Sequence, residues 1–199
     1  MLNYKNETYY KQELNVNNIK MSRDDYFVNS LKNKKILHVG CAGGDMYYSN
    51  KKRHLHSYLI NNGIDVDGLD IRKDIIDELK VKFPNNNFYL ELSEIQNKLY
   101  DVVLIPEVLE HIDNARDFLD EMFSIKSKTF LITVPNCEGL FNCFSYKNNI
   151  ATELVHPEHY YWFSAYTLYK ITKKYIKNME DVNMFYLQNK ASVAIEIKN

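Results

Sequence analysis

Lys35-Ile36-Leu37-His38-Val39-Gly40-Cys41-Ala42-Gly43-Gly44 decides the fold. A short apolar run that stops at glycine is a buried-strand signal. The cluster of small residues behind it marks a tight turn that a ligand can approach closely. Downstream, Leu55, Leu59 and Ile60 stand at helical spacing until Asn61-Asn62-Gly63 ends the pattern. Residues 66–70 read as a second strand, 71–83 as a helix closed by Pro84, and 87–92 as a third strand. Residues 101–105 form a fourth strand and 114–124 an amphipathic helix with Phe118, Leu119 and Met122 on one face. A fifth strand over 129–134 stops at Pro135, 164–179 is helical, and strands over 182–187 and 192–197 flank Gln188-Asn189-Lys190.

Near-continuous apolar strands alternating with helices mean an α/β fold with a doubly wound, mostly parallel sheet covered on both faces. The final pair of strands adds a C-terminal antiparallel hairpin. Residues 1–33, polar and rich in tyrosine (Tyr9-Tyr10, then Tyr26-Phe27), read as an N-terminal helical cap ahead of the main domain at 34–199. In such sheets the ligand lies beyond the carboxyl ends of the strands, at the switch point.

Composition narrows the function classes. The 199 residues are 45% hydrophobic and 26% charged, which suits one globular domain and excludes a disordered or fibrous chain. Twenty-five basic residues against 26 acidic give a formal charge of −1, with none of the basic excess of a nucleic-acid binder. No apolar run approaches bilayer length, and Met1-Leu2-Asn3-Tyr4-Lys5-Asn6-Glu7 lacks a signal-peptide core, so a cytoplasmic protein without a membrane partner is expected. Cys41, Cys137 and Cys143 show neither paired metal-ligand spacing nor a disulfide pattern, consistent with a reducing compartment. Either a monomer or a homodimer is compatible with these features.

Asp70 ends the second strand as Gly40 ends the first. A carboxylate there can accept both hydroxyls of an adenosine ribose; a tight strand-to-helix turn with an exposed terminal acid would use the same residues. A dinucleotide fingerprint needs a third small residue, but aligning Gly40 and Ala42 places Asp45 there, where it would repel a pyrophosphate. A sulfonium nucleoside carries no phosphate, so S-adenosylmethionine fits better than NAD.

Past the fourth strand comes Pro106-Glu107-Val108-Leu109-Glu110-His111. A helix opening at Pro106 would put Glu107, Glu110 and His111 on one face. The acids then serve the helix start and His111 packs, or His111 accepts a proton from a substrate hydroxyl, or the three bind a divalent ion that acidifies it. Residues 136–163 lack a clear period and hold His156, His159 and Tyr160-Tyr161-Trp162-Phe163. Aromatics so clustered serve as packing or as a substrate-covering loop.

Taken in order, the segments 36–44, 69–71, 101–112, 130–136 and His156-Pro157-Glu158-His159 leading into Trp162-Phe163-Ser164 resemble the class I S-adenosylmethionine-dependent methyltransferases. The resemblance spans roughly residues 33–180 and implies a seven-stranded sheet. It places Gly40, Ala42 and Gly44 along the methionine and ribose, and Asp70, in Leu69-Asp70-Ile71, on the ribose. Glu91 and the backbone of Leu92 would face the adenine amino group, with Pro106 at the methionine end. His38 stands where the family usually has an acid and Ala42 where it has glycine. A protonated His38 would repel the donor's ammonium, so cofactor affinity is expected to fall at acid pH.

A similar Glu-x-x-Glu-His stretch binds magnesium in ubiquinone-pathway O-methyltransferases. It also binds metal in small-RNA 3′-terminal 2′-O-methyltransferases, where a later histidine completes the site. By that likeness Mg2+ would sit on Glu107, Glu110, His111 and His159. The resulting expectation is O-methylation of a small polar metabolite or a surface-glycan sugar, with His111 and His159 catalytic. An RNA-end methyltransferase, a nicotinamide oxidoreductase and a non-catalytic cofactor-binding protein are the rivals.

Overall fold

The computed structural model describes residues 12–43, 54–139, 144–147, 149–153 and 156–199. Tyr9-Tyr10, Gly44, Asp45 and Cys143 from the sequence reading lie outside them. In chain order the strands are β1 (Asn17–Asn18), β2 (Lys35–Val39), β3 (Asp65–Leu69), β4 (Phe88–Tyr89), β5 (Tyr100–Pro106), β6 (Ser127–Pro135), β7 (Phe144–Lys147), β8 (Ile150–Glu153), β9 (Val182–Leu187) and β10 (Ser192–Lys198). The α-helices are α1 (Arg23–Ser30), α2 (Leu55–Asn61), α3 (Lys73–Lys82), α4 (Ala115–Phe123) and α5 (Ala165–Thr172).

The main sheet runs β1-β9-β10-β6-β5-β2-β3-β4. Strands β6, β5, β2, β3 and β4 are mutually parallel, whereas β10 is antiparallel to both β6 and β9. The strand count is therefore eight, not seven. The extra member is β1, which lies inside the segment expected to be a helical cap and pairs with β9 at the sheet edge. Ser22 caps α1 by accepting the Asp25 N–H, so residues 12–33 of that segment hold one short strand followed by one helix.

Alternation along each strand sends successive residues to opposite faces. Leu37, Val39, Val103, Ile105, Phe130 and Ile132 pack with Leu119 and Met122 of α4 and Leu168 of α5. Ile36, Val66, Val102, Leu104 and Leu131 pack instead with Phe27 and Val28 of α1 and Leu55 and Leu59 of α2. Two hydrophobic layers on one sheet need strands that are apolar at nearly every position, which is why these segments lack polar alternation.

Several boundaries shift from the sequence reading. The third strand shortens to Phe88–Tyr89 because Glu91 and Glu94 form a reciprocal capping box around a 3-10 turn at Leu92–Ile95. The helix expected over 164–179 stops at Thr172 and continues as short 3-10 turns. Residues 136–163 include a hairpin of β7 and β8. No helix opens at Pro106: β5 runs through it, and the Glu107 N–H donates to the Thr133 carbonyl at 2.8 Å, extending the parallel ladder by one residue. Glu107 then adopts the left-handed region at φ 51° and turns the chain into a 3-10 turn at Leu109–His111. The i, i+3, i+4 helix face expected for Glu107, Glu110 and His111 does not form.

Candidate functional site

Chain order reverses between β2 and β5, so the crevice of the switch point opens above Gly40 and Pro106. Gly40 has φ 77°, and a Cβ there would stand 2.5 Å from Val108 Cγ2, so only glycine fits. Its N–H donates to the Leu69 carbonyl at 2.9 Å, which turns the chain across the end of β3. Asp70 follows at once. Its Oδ2 accepts the Ala42 N–H at 2.9 Å and its Oδ1 the Arg72 N–H at 2.9 Å. Ile71 beside it is 91% exposed, an apolar side chain offered to solvent at the mouth of the crevice. Pro106 is buried at the end of β5, while Glu91 and Leu92 border the crevice beyond β4, with Glu91 also engaged in its capping box.

Under the turn lies a pair the sequence reading missed. His38, buried on β2, and His56, buried on α2, bring their Nδ1 atoms to 3.1 Å. His54 caps α2 through its ring by accepting the Ser57 N–H. Burial, then the neighbouring His56, holds His38 well below the ordinary imidazole range. Burial and His54 push His56 down to about 3. Gly68 makes room for this packing: a Cβ there would meet Cys41 Sγ at 2.6 Å and Phe88 Cδ1 at 2.8 Å. The two histidines separated by one residue at 54 and 56 were the available signal, but nothing local tied them to His38.

Opposite, across β5, stand the ionisable groups of the second candidate set. Glu110 is 1% exposed, and neither carboxylate oxygen has a hydrogen-bond partner. Burial first, then the charge of Glu107, pushes its carboxyl up to about 8. Glu107 keeps about a fifth of its side-chain surface (21%) yet encloses Oε1. Burial raises it as well, opposed first by Arg23, whose guanidinium reaches to 3.7 Å, and then by the Thr133 hydroxyl and Ser192. Arg23 comes from α1, so the N-terminal segment supplies a charge to this end of the sheet. It too was missed, since only tertiary folding brings α1 to β5.

The segment at 156–163 docks onto this corner. Tyr160 N–H donates to the Glu110 carbonyl at 2.8 Å, and the Tyr161 hydroxyl donates to the Asp113 carbonyl. His111 Nδ1 stands 3.2 Å from the Glu158 carbonyl, which assigns the ring proton to Nδ1 and leaves the Nε2 lone pair free, 4.0 Å from Glu110 Oε1. His159 lies against His111, ring centroids 4.6 Å apart, with its pKa pushed down to about 4 by burial and then by the other two histidines. His111 and His159 thus come together, with Glu110 adjoining. Glu107 faces Arg23, Thr133 and Ser192.

A family model described as "Methionine biosynthesis protein MetW" matches residues 24–198. The ubiquinone biosynthesis O-methyltransferase of Rickettsia typhi is 32% identical over 97 residues, covering 46% of this chain and 36% of that protein. The chain thus spans only about a third of the length of that relative. Among solved structures, the Pnkp1/Rnl/Hen1 RNA repair complex aligns with a TM-score of 0.61 at 18% identity, covering 89% of this chain and 41% of that one. The plantazolicin methyltransferase BpumL in complex with SAH aligns at 0.58 and 17% identity, covering 88% and 80%. These structural likenesses establish a shared Rossmann-like fold.

Proposed function

The chain belongs to the family of methionine biosynthesis protein MetW, and from that membership we propose that it is an S-adenosylmethionine-dependent methyltransferase acting on an oxygen acceptor. The observation that carries this reading is the Gly40–Asp70 pair: a left-handed glycine at the end of β2 and an acid at the end of β3 that fastens the turn between them. The adenosine ribose takes the remaining acceptor capacity of Asp70, and Gly40 with Ala42 lets the methionine portion approach the backbone. Ile71 offers an apolar face to the adenine ring, Glu91 and Leu92 its polar edge, and Pro106 closes the methionine end. Gly44, next in the sequence after Gly43 and outside the described residues, belongs to this proposed set. His38 reaches the cofactor side only as a neutral group.

The bound donor supplies an electrophilic methyl group on sulfur. His111 holds its lone pair on Nε2, orientated by the Glu158 carbonyl, and accepts the hydroxyl proton as the oxygen attacks. His159, with the Trp162 ring edge-on to it, and buried Phe163 supply the apolar side of that corner. Oxygen is favoured because an imidazole base assists a hydroxyl, and because the Rickettsia relative carries an O-methyltransferase name. Small polar metabolites and sugars are the acceptor classes proposed, with a cytoplasmic setting. A Mg2+ ion held by Glu110, His111 and His159, with Glu107 behind, would be the second source of hydroxyl acidity. The unpartnered Glu110 oxygens support it, but the imidazole share of the donor set suits another ion better.

Calorimetry with S-adenosylmethionine and S-adenosylhomocysteine tests the reading, followed by labelled methyl transfer to a panel of hydroxyl acceptors. Binding of both ligands with label in a methyl ether product is expected. Flat titrations on folded protein would overturn it.

A further inference from the structure

We propose that Glu107, together with the Thr133 hydroxyl, holds the ammonium group of the methyl donor's amino-acid portion. The inference rests on the S-adenosylmethionine reading above and assigns one contact within it. His38, at the end of β2, brings no negative charge to that ammonium: it is a buried imidazole against His56, with the positive charge of Arg23 nearby. The carboxylate must therefore come from another strand end at the same crevice.

Glu107 stands at that place. It follows Pro106 directly, where β5 ends beside β2. Its left-handed backbone, φ 51°, turns the chain so that Val108 lies on Gly40, with Val108 Cγ2 only 2.5 Å from where a Cβ on Gly40 would be. The Glu107 turn and the Gly40 turn thus share one wall of the switch-point crevice.

Two acceptor atoms there lack what they need. Glu107 Oε1 and Thr133 Oγ1 are both buried without a hydrogen-bond partner, although the Thr133 hydroxyl lies beside Glu107. Thr133 is fully buried, whereas the Glu107 side chain keeps 21% of its surface and so remains within reach of a ligand. Buried polar atoms left unpaired are rare, and each can accept, so the missing group is a donor. Arg23 does not fill the role. Its Nη1 stops 3.7 Å from Glu107 Oε1, while its Nε and Nη2 donate to Asp24 Oδ1 at 3.1 and 3.0 Å. A primary ammonium carries three N–H donors on one charged centre and serves the carboxylate and the hydroxyl together. Burial disfavours the Glu107 charge and Arg23 is the first group to restore it; a second cation on the free oxygen works in the same direction.

The test is calorimetry at about pH 8 with S-adenosylhomocysteine and with its deaminated analogue, which carries hydrogen in place of the ammonium. Wild-type protein should prefer the intact ligand by about ten- to hundredfold. Glu107→Gln should lose most of that preference, with affinity for the intact ligand falling and affinity for the analogue unchanged. Thr133→Val should lose part of it, and thermal melts check that both variants fold. No preference in the wild type, an intact preference in folded Glu107→Gln, or equal weakening of both ligands would each overturn the assignment, leaving a water molecule or simple packing at the two atoms. Should Glu107→Gln not fold, an undiminished preference in Thr133→Val overturns it alone. Flat titrations of wild-type protein with both ligands would instead overturn the donor reading itself, and this inference with it.

Discussion

Asp70 Oδ2 accepts the backbone N–H of Ala42 at 2.9 Å, so the acid ending β3 fastens the small-residue turn that follows β2. Its other oxygen holds the Arg72 N–H at the start of α3. One side chain therefore organises both lips of the crevice, and a change there removes a structural tie together with the proposed ligand contact.

Asp70→Ala should weaken S-adenosylhomocysteine binding by about 2–3 kcal/mol, roughly 30- to 150-fold in Kd, the usual loss for a charge-assisted two-bond contact. It should also lower Tm. Asp70→Asn keeps an oxygen for the Ala42 N–H, so its Tm should fall less while affinity stays low. Calorimetry and thermal melts read both effects; near-normal affinity in Asp70→Ala would remove the ribose role.

His111→Ala should leave cofactor binding intact and abolish turnover, because the ring stands across β5 from the crevice lips and its free nitrogen faces Glu110. Labelled-methyl transfer beside calorimetry checks the split. Prior chelation then distinguishes a base from a ligand: activity lost to chelator and restored by added metal marks the ligand.

Burial of His38 alters the acid sensitivity expected of the proposed cofactor site. Burial, then the neighbouring His56, holds its pKa well below the ordinary value of 6.5, so mild acid charges it less readily than an exposed imidazole. Affinity for S-adenosylhomocysteine should therefore be the same at about pH 5.5 and pH 8. A weakening at the acid value would show that His38 protonates there and repels the ammonium.

The same burial makes stability pH-dependent. Unfolded His56 titrates near 6.5 and folded His56 near 3, so between those values the unfolded chain binds the extra proton. The contribution is complete above about pH 6.5 and is lost as pH falls, at about 1.4 kcal/mol per pH unit. His56→Asn should flatten the acid limb of a urea-stability profile by about that slope. An unchanged slope would mean that His56 is not buried as a neutral ring.

Gly68→Ala should destabilise by about 1–3 kcal/mol, since a methyl group would press on Cys41 and Phe88 where the core has no slack. Chemical denaturation measures it. Little change would show that the His56–Cys41 layer beneath the Gly40 turn is loosely packed.

Sequence by itself determined the doubly wound architecture, because hydrophobic period and glycine or proline stops are local properties of the chain. Apolar runs ending at Gly40 and Asp70 place both at the carboxyl edge of adjacent parallel strands, whatever the packing detail. Tertiary structure alone decided the rest. Whether Pro106 began a helix depended on the Thr133 carbonyl of a strand far along the chain, which held Glu107 in the ladder instead. Likewise β1 formed because the edge of β9 was open to it, and Arg23 met Glu107 because α1 packs at that end of the sheet. His156 joined His111 and His159 through a docked turn whose hydrogen bonds run to Glu110 and His111. Such contacts leave no period in the sequence, since loop closure over long separations is set by the whole fold and not by neighbouring residues.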